Sequence, residues 1–471
     1  MSNHADLPQI IQGGMGIAVS NWKLAREVSM CGGMGVVSGT AIDSVLARRL
    51  QDGDQTGDTR RALASFPNQA MVARIMDRYF IEGGKAADVA YAAVPKMRLD
   101  QSAIHQELAI LASYVEVWLA REGHNGKVGI NYLEKIQLSN LSAALGAVLA
   151  GVDFVLMGAG IPREIPALLT NLSQGKIGTL HVDVIDEKTP HTITVNPLDF
   201  IDASHFPIKR PQFLAIISSE VLAAYLSRNE ITRPDGFIIE GAVAGGHNAP
   251  PRGKLTLDDD GEPIYGPRDV ANLEKMRALG APFWLAGGYA SRGSLATARE
   301  LGAVGIQVGT LFALSTDSGF TDEVRDELLH RFADGSFSIK TDLLASPTTF
   351  PIKIVQDFGG TSPATPQRKR VCDLGYLRSP VRLANGRLDY RCAAEPEEVF
   401  QKKGGELQET VGRRCLCNAL LANIGMPQRR PDGAIEPTII TLGSEVDSAR
   451  ELAAELGRAF TAREAYEFLA G

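Results

Sequence analysis

Short apolar runs that stop at glycine recur along most of this chain, and helical spacing fills the gaps between them. Gln9-Ile-Ile-Gln-Gly-Gly-Met15 is the first run and Met34-Gly-Val-Val-Ser-Gly39 the second. Residues 22–30 place apolar side chains at helical intervals, and Cys31-Gly-Gly33 ends that segment, with Cys31 expected as a small buried hydrophobe. Strand, helix and strand in this order predict a β-α-β unit with parallel strands. Further strands are predicted at Val128-Gly-Ile-Asn-Tyr-Leu133, Phe154-Val-Leu-Met-Gly-Ala-Gly160, Phe213-Leu-Ala-Ile-Ile-Ser-Ser219, residues 237–241, Pro282-Phe-Trp-Leu-Ala-Gly-Gly288 and Gly305-Ile-Gln-Val-Gly-Thr310. Continuous apolar runs of this length suit strands buried on both faces. Helices are expected at 139–150, capped by Ser139 or Asn140, from Ile161-Pro162 onward, at 220–227 and at 294–301. Eight strands alternating with helices predict an α/β fold, a (β/α)8 TIM barrel. A doubly wound open sheet is the alternative, but Gln12-Gly-Gly-Met-Gly16 is a poor nucleotide fingerprint.

Two stretches interrupt the rhythm. Residues 41–126 hold no strand pattern, and helical spacing at 42–50, 70–80 and 104–120 predicts a helical insertion able to cover the barrel mouth. Within 175–210, His181-Val-Asp-Val and His191-Thr-Ile-Thr-Val alternate as antiparallel strands do, around the turn Asp186-Glu-Lys-Thr-Pro190, and predict an inserted β-hairpin. After His247, Pro250-Pro-Arg-Gly253 and the polar stretch 257–262 suggest an exposed loop. Ser346-Pro-Thr-Thr-Phe-Pro-Ile-Lys353 reads as a loop and short helix, and 445–469 as a closing amphipathic helical pair. The expected division is a barrel domain over 1–355 and a Cys-containing, helical C-terminal subdomain over 356–471.

Composition narrows the function. The 471 residues are 44% hydrophobic and 22% charged, with a net charge of −7, which argues against a general nucleic-acid binder. No run of eighteen or so apolar residues is present, so no membrane span is expected. The N-terminus has no basic and apolar signal pattern, and five cysteines make no disulfide framework, so a cytoplasmic location is expected.

Chemistry concentrates at the predicted strand ends. Ala244-Gly-Gly-His247 is a glycine-rich turn with a His, the side chain that moves protons near neutral pH. The alternative is a buried loop His satisfied by backbone groups. Ala286, Gly287 and Gly288, with Gly309 and Thr310, end the seventh and eighth strands, where barrels commonly hold a phosphate; ordinary turn glycines are the plainer reading. A phosphate there places the rest of a cofactor near Gly13–Met15, Asn131 and His247.

Four stretches, Ile10-Ile-Gln-Gly-Gly-Met15, Glu240-Gly-Ala-Val-Ala-Gly-Gly-His247, Leu285-Ala-Gly-Gly288 and Gly305-Ile-Gln-Val-Gly-Thr310, resemble the nitronate monooxygenase (2-nitropropane dioxygenase) family. FMN-dependent enoyl-acyl-carrier-protein reductases share these motifs. The resemblance covers residues 7–160 and 213–355, insertions excluded. It implies an FMN-binding (β/α)8 oxidoreductase. Gly13, Gly14 and Met15 then lie against the flavin ring. Asn131 and Glu240 sit at its polar edge or ribityl chain, Gly246 and Gln307 face the flavin, and Ala286, Gly287, Gly288, Gly309 and Thr310 hold the phosphate. His247 matches the family's active-site His. The implied reaction is oxidation of alkyl nitronates or related carbanions. The alternative is NAD(P)H-dependent reduction of an enoyl thioester carried on a carrier protein. The long insertions and C-terminal segment resemble trans-acting enoyl reductases of polyketide and polyunsaturated fatty acid synthases, and Asn-Ala-Pro-Pro-Arg-Gly after His247 departs from the family pattern. The substrate is a small molecule or a carrier-bound thioester, and a homodimer stays open.

Cys372, Cys392, Cys415 and Cys417 fall within one segment of 46 residues, spaced C-x19-C-x22-C-x-C. Four thiols suffice for zinc or an iron–sulfur cluster. The alternative is a set of reduced thiols in a small packed subdomain, with Cys415 and Cys417 on one face of a strand.

Overall fold

Eight short strands close into a parallel barrel in a computed structural model that describes residues 6–365 and 368–471. They are β1 (Ile10–Gln12), β2 (Met34–Ser38), β3 (Lys127–Leu133), β4 (Phe154–Gly158), β5 (Gln212–Ile217), β6 (Gly236–Glu240), β7 (Phe283–Ala286) and β8 (Gly305–Val308). Each pairs in parallel with its sequence neighbour, and β8 returns to β1 through Ile10–Ile306 and Gln12–Val308. The fold is the (β/α)8 barrel that the apolar runs predict.

Side chains alternate across each strand, so every second residue enters the barrel. Ile11, Val36, Leu156, Leu214, Ile238 and Trp284 form the packed interior. Trp284 is fully buried, and its indole N–H donates to Pro8 O at 2.7 Å. Their outward neighbours join the helices in the main core. Following the same alternation, Asn131, Glu240 and Gln307 point inward at the carboxyl ends of β3, β6 and β8. A barrel enzyme keeps its chemistry at that end.

The helix Trp22–Met30 starts at Asn21, whose side chain accepts from the N–H groups of Lys23 and Leu24. It lies so close on β2 that a Cβ on Gly35 would stand 1.8 Å from Ala25 O. Cys31 caps its far end and is partly buried, where a fully buried small hydrophobe is expected. The insertion holds the three expected helices, Ile42–Gln51, Gln69–Tyr79 and Ala103–Arg121, and a fourth, Asp58–Ala64. The hairpin pairs Gly178–Val182 with His191–Val195, antiparallel as expected.

Several boundaries differ from expectation. The helix after β3 runs Gln137–Leu149 with no side-chain cap, so Ser139 and Asn140 lie inside it. Asn140 instead spends its amide on Leu133 O, at 2.8 Å, bracing the strand end. The helix after β4 begins at Ile165, with Pro166 rather than Pro162 in its first turn. Ile352–Val355 is a strand, not a helix. It pairs antiparallel with Ile339–Asp342 and with the two-residue strand Gly246–His247, so part of the expected turn is extended. Cys417 lies on the helix Leu416–Ala422, which Cys415 caps, and not on a strand. The closing pair is present as Asp447–Leu456 and Ala462–Ala470. Among the described residues no helix is long and apolar enough to cross a membrane.

Candidate active site

The carboxyl ends of the strands surround a cavity of about 1380 Å3, counting its open mouth. Every residue singled out for cofactor or catalysis lines it: Gly13, Gly14, Met15, Asn131, Glu240, Gly246, His247, Ala286, Gly287, Gly288, Gln307, Gly309 and Thr310. The insertion over 41–126 contributes nothing to this lining among the described residues. Leu420 and the segment Thr441, Leu442, Gly443 and Glu445 do, from far down the chain.

One wall is the turn after β1. Ser20 Oγ donates to Gly13 O at 3.0 Å and accepts from Met15 N–H at 3.0 Å, which fixes the turn from behind. Gln12 Nε2 donates to Ser20 Oγ at 2.8 Å, and Gln12 Oε1 accepts from Val36 N–H at 3.1 Å. Neither Gln12 nor Ser20 is distinguishable in the sequence, because each acts through main-chain groups of its neighbours. Gly14 must lack a side chain, since a Cβ there would stand 2.3 Å from Asn131 Cβ.

Asn131 Oδ1 and Gln307 Oε1 are buried without a hydrogen-bond partner among the described residues. Such orphaned acceptors are rare in a folded interior and costly when left unmade. Here they border the cavity, beside the Gly13–Met15 turn, and suit a flat polar ligand carrying N–H or O–H donors.

His247 stands on its short strand with Nε2 2.6 Å from Ser346 Oγ, and Ser346 Oγ lies 2.8 Å from Thr348 Oγ1. Its remaining surface faces the cavity. Burial pulls its pKa down to about 4, so the imidazole is neutral at neutral pH. Glu240, also walled in, carries no side-chain hydrogen bond or ion pair among the described residues, and burial pushes it up to about 7. Of the two, Glu240 is the group that burial moves into the neutral range, which the sequence reading did not anticipate. Desolvation set by surrounding walls leaves no mark in a sequence.

The expected phosphate end has two features. Gly287 and Gly288 turn with φ of +74° and +93°, conformations that favour glycine, and both border the cavity. Thr310 Oγ1 already accepts from Gly443 N–H at 2.9 Å. Glu445 brings a carboxylate to the same corner, its Oε1 3.3 Å from where a Cβ on Gly288 would lie.

The residues present fit FMN at the ring end through the two orphaned acceptors and the glycine wall. At the phosphate end the glycine turns fit, with Glu445 as an opposing charge.

Comparison with known proteins adds the following. Residues 170–340 match the family model described as nitronate monooxygenase. A 102-residue stretch is 31% identical to the (3aS,4S,5R,7aS)-5-hydroxy-7a-methyl-1-oxo-octahydro-1H-indene-4-carboxyl-CoA dehydrogenase of Mycobacterium tuberculosis. That stretch spans 22% of this chain and 25% of the relative's length. FabK from Thermotoga maritima aligns over 99% of this chain and 94% of its own, at 14% identity and a TM-score of 0.46. Nitroalkane oxidase from Streptomyces ansochromogenes aligns over 99% and 96%, at 14% identity and a TM-score of 0.45. About a third of the chain, from residue 170 to residue 340, is thus similar to the nitronate monooxygenase family.

Proposed function

We propose that the protein is an FMN-dependent oxidoreductase that oxidises alkyl nitronates or related stabilised carbanions in the barrel cavity. The observation that carries the reading is the pair of orphaned acceptors, Asn131 Oδ1 and Gln307 Oε1, facing a glycine-walled cavity at the carboxyl ends of the strands. Asn131 and Gln307 would hold the polar edge of the ring, Gly13, Gly14, Met15 and Gly246 its faces, and Ala286, Gly287, Gly288, Gly309 and Thr310 the phosphate end. FMN, when bound, supplies the electron acceptor, and the protein supplies its orientation and the protons. His247, neutral and tied to Ser346, orients an anionic substrate by hydrogen bonding, not by charge. Glu240, poised at about 7, takes or returns a proton at the substrate or the cofactor edge.

The curated relative's name, a carboxyl-CoA dehydrogenase, favours a second reading in which the substrate is a thioester. In that reading NAD(P)H is the reductant, and the neutral His247 donates a hydrogen bond to the thioester oxygen of a carrier-bound enoyl chain.

Anaerobic titration of the flavin-loaded protein separates the two. Bleaching of the flavin bands by a propyl nitronate alone supports the first reading. Bleaching by NADPH alone overturns it in favour of the second. A protein that takes up no flavin overturns both.

A further inference from the structure

The C-terminal thiols meet around a second cavity. Cys372 comes from the loop before the two-stranded sheet of Ser379–Arg382 and Leu388–Arg391, and Cys392 from the residue just after it. Cys415 caps the helix Leu416–Ala422, and Cys417 lies in its first turn. All four border one small space, about 290 Å3 counting its opening to solvent, otherwise walled by apolar groups such as Val371, Leu374 and Leu377. None is in a disulfide, and Cys392 and Cys417 are only 8% and 9% exposed. Packing alone gives no reason for this arrangement, since branched aliphatic side chains would fill the space better than four thiols.

We propose that Cys372, Cys392, Cys415 and Cys417 ligate an iron–sulfur cluster of the four-iron, four-sulfur type. A single tetrahedral ion needs its sulfurs about 2.3 Å from one point. Among the described residues, no three His, Cys, Asp or Glu side chains are placed to hold one ion. The thiols instead ring a void. That suits a cubic cluster, with one thiolate at each iron corner and inorganic sulfide filling the middle.

The surroundings suit an anionic sulfur-rich group. Asn418 Nδ2 lies 3.5 Å from Cys415 Sγ. Lys96 and Arg378 stand near Cys372, and Arg368 near Cys415, so positive charge faces the sulfurs. Lys96 is held there by donating to Cys372 O at 2.7 Å. Such donors and cations are the means by which a protein offsets and tunes cluster charge.

This inference is independent of the flavin reading, and its test does not use activity. The full chain is purified without oxygen, reconstituted with a mixture of ferrous and ferric iron and with sulfide, stripped of flavin and desalted. Iron, acid-labile sulfide and zinc are then measured, with an EPR spectrum after dithionite reduction. The expected result is roughly four irons and four sulfides per chain, and a rhombic signal on reduction. The Cys417→Ala and Cys372→Ala variants lose more than half of the iron, while Cys31→Ala keeps it. Retention of no iron, or of one zinc that iron and sulfide do not displace, overturns the proposal. If the cysteine variants are insoluble, the metal and sulfide contents of the parent chain still decide.

Discussion

Glu240 and His247 sit 7 positions apart, and burial moves both from their ordinary ranges in ways that matter for pH. Burial favours the protonated carboxyl of Glu240, raising it from 4.5 to about 7. Its contribution to stability is complete below 4.5 and is lost as pH rises through about 7. For His247, burial favours the neutral ring. That contribution is complete above 6.5 and is lost as pH falls toward about 4. Replacing Glu240 by Gln therefore raises the melting temperature relative to the parent chain more at about pH 8 than at about pH 4.5, as differential scanning fluorimetry would read. The same variant loses the limb of the pH–rate profile near 7, which stopped-flow assays across pH would test. His247→Ala is expected to keep the flavin, seen by absorbance, while turnover falls on the order of a hundredfold or more.

Secondary structure was legible in this chain wherever the forces were local. The eight strands are short apolar runs punctuated by glycine, because a strand covered on both faces needs no polar side, and all eight appear where that pattern puts them. The helix Glu220–Ser227 announces itself through Ser219, whose hydroxyl accepts from Leu222 N–H. Non-local structure was not legible. Ile352–Val355 is extended because it pairs with Gly246–His247, and His247 is also tied to Ser346, 99 residues on. No window of sequence contains that partnership. For the site, the glycines and polar residues at the strand ends could be chosen from the sequence, whereas the acidity of Glu240 and the bracing by Gln12 and Ser20 depend on walls that only folding builds. Two substitutions probe the elements. Trp284→Ala empties the barrel centre and is expected to cost about 3–5 kcal/mol in urea unfolding. Gly14→Ala drives a methyl into Asn131, and flavin retained through gel filtration should fall sharply with only a modest change in far-UV circular dichroism.

On the scale of the whole molecule, the barrel mouth is finished by the C-terminal chain and not by the long helical insertion. Thr441, Leu442, Gly443 and Glu445 border the cavity, and Gly443 N–H occupies Thr310 Oγ1. Leu442 and Ile440 belong to the same hydrophobic core as the barrel helices. Glu445 faces the Gly288 turn, where a phosphate dianion would feel its charge. Removing one like charge at such a distance is worth roughly 1 kcal/mol under water-like screening. Glu445→Gln is therefore expected to tighten FMN binding about fivefold, measured by flavin fluorescence quenching of the stripped protein.

Because residues 441–445 complete the cavity, the binding site matures late in synthesis. A ribosome that has released only β1 to β8 has made the barrel's strands but not the wall that closes around the ligand. Capture of the proposed FMN is then a post-translational event, and a nascent chain halted before residue 441 should emerge colourless.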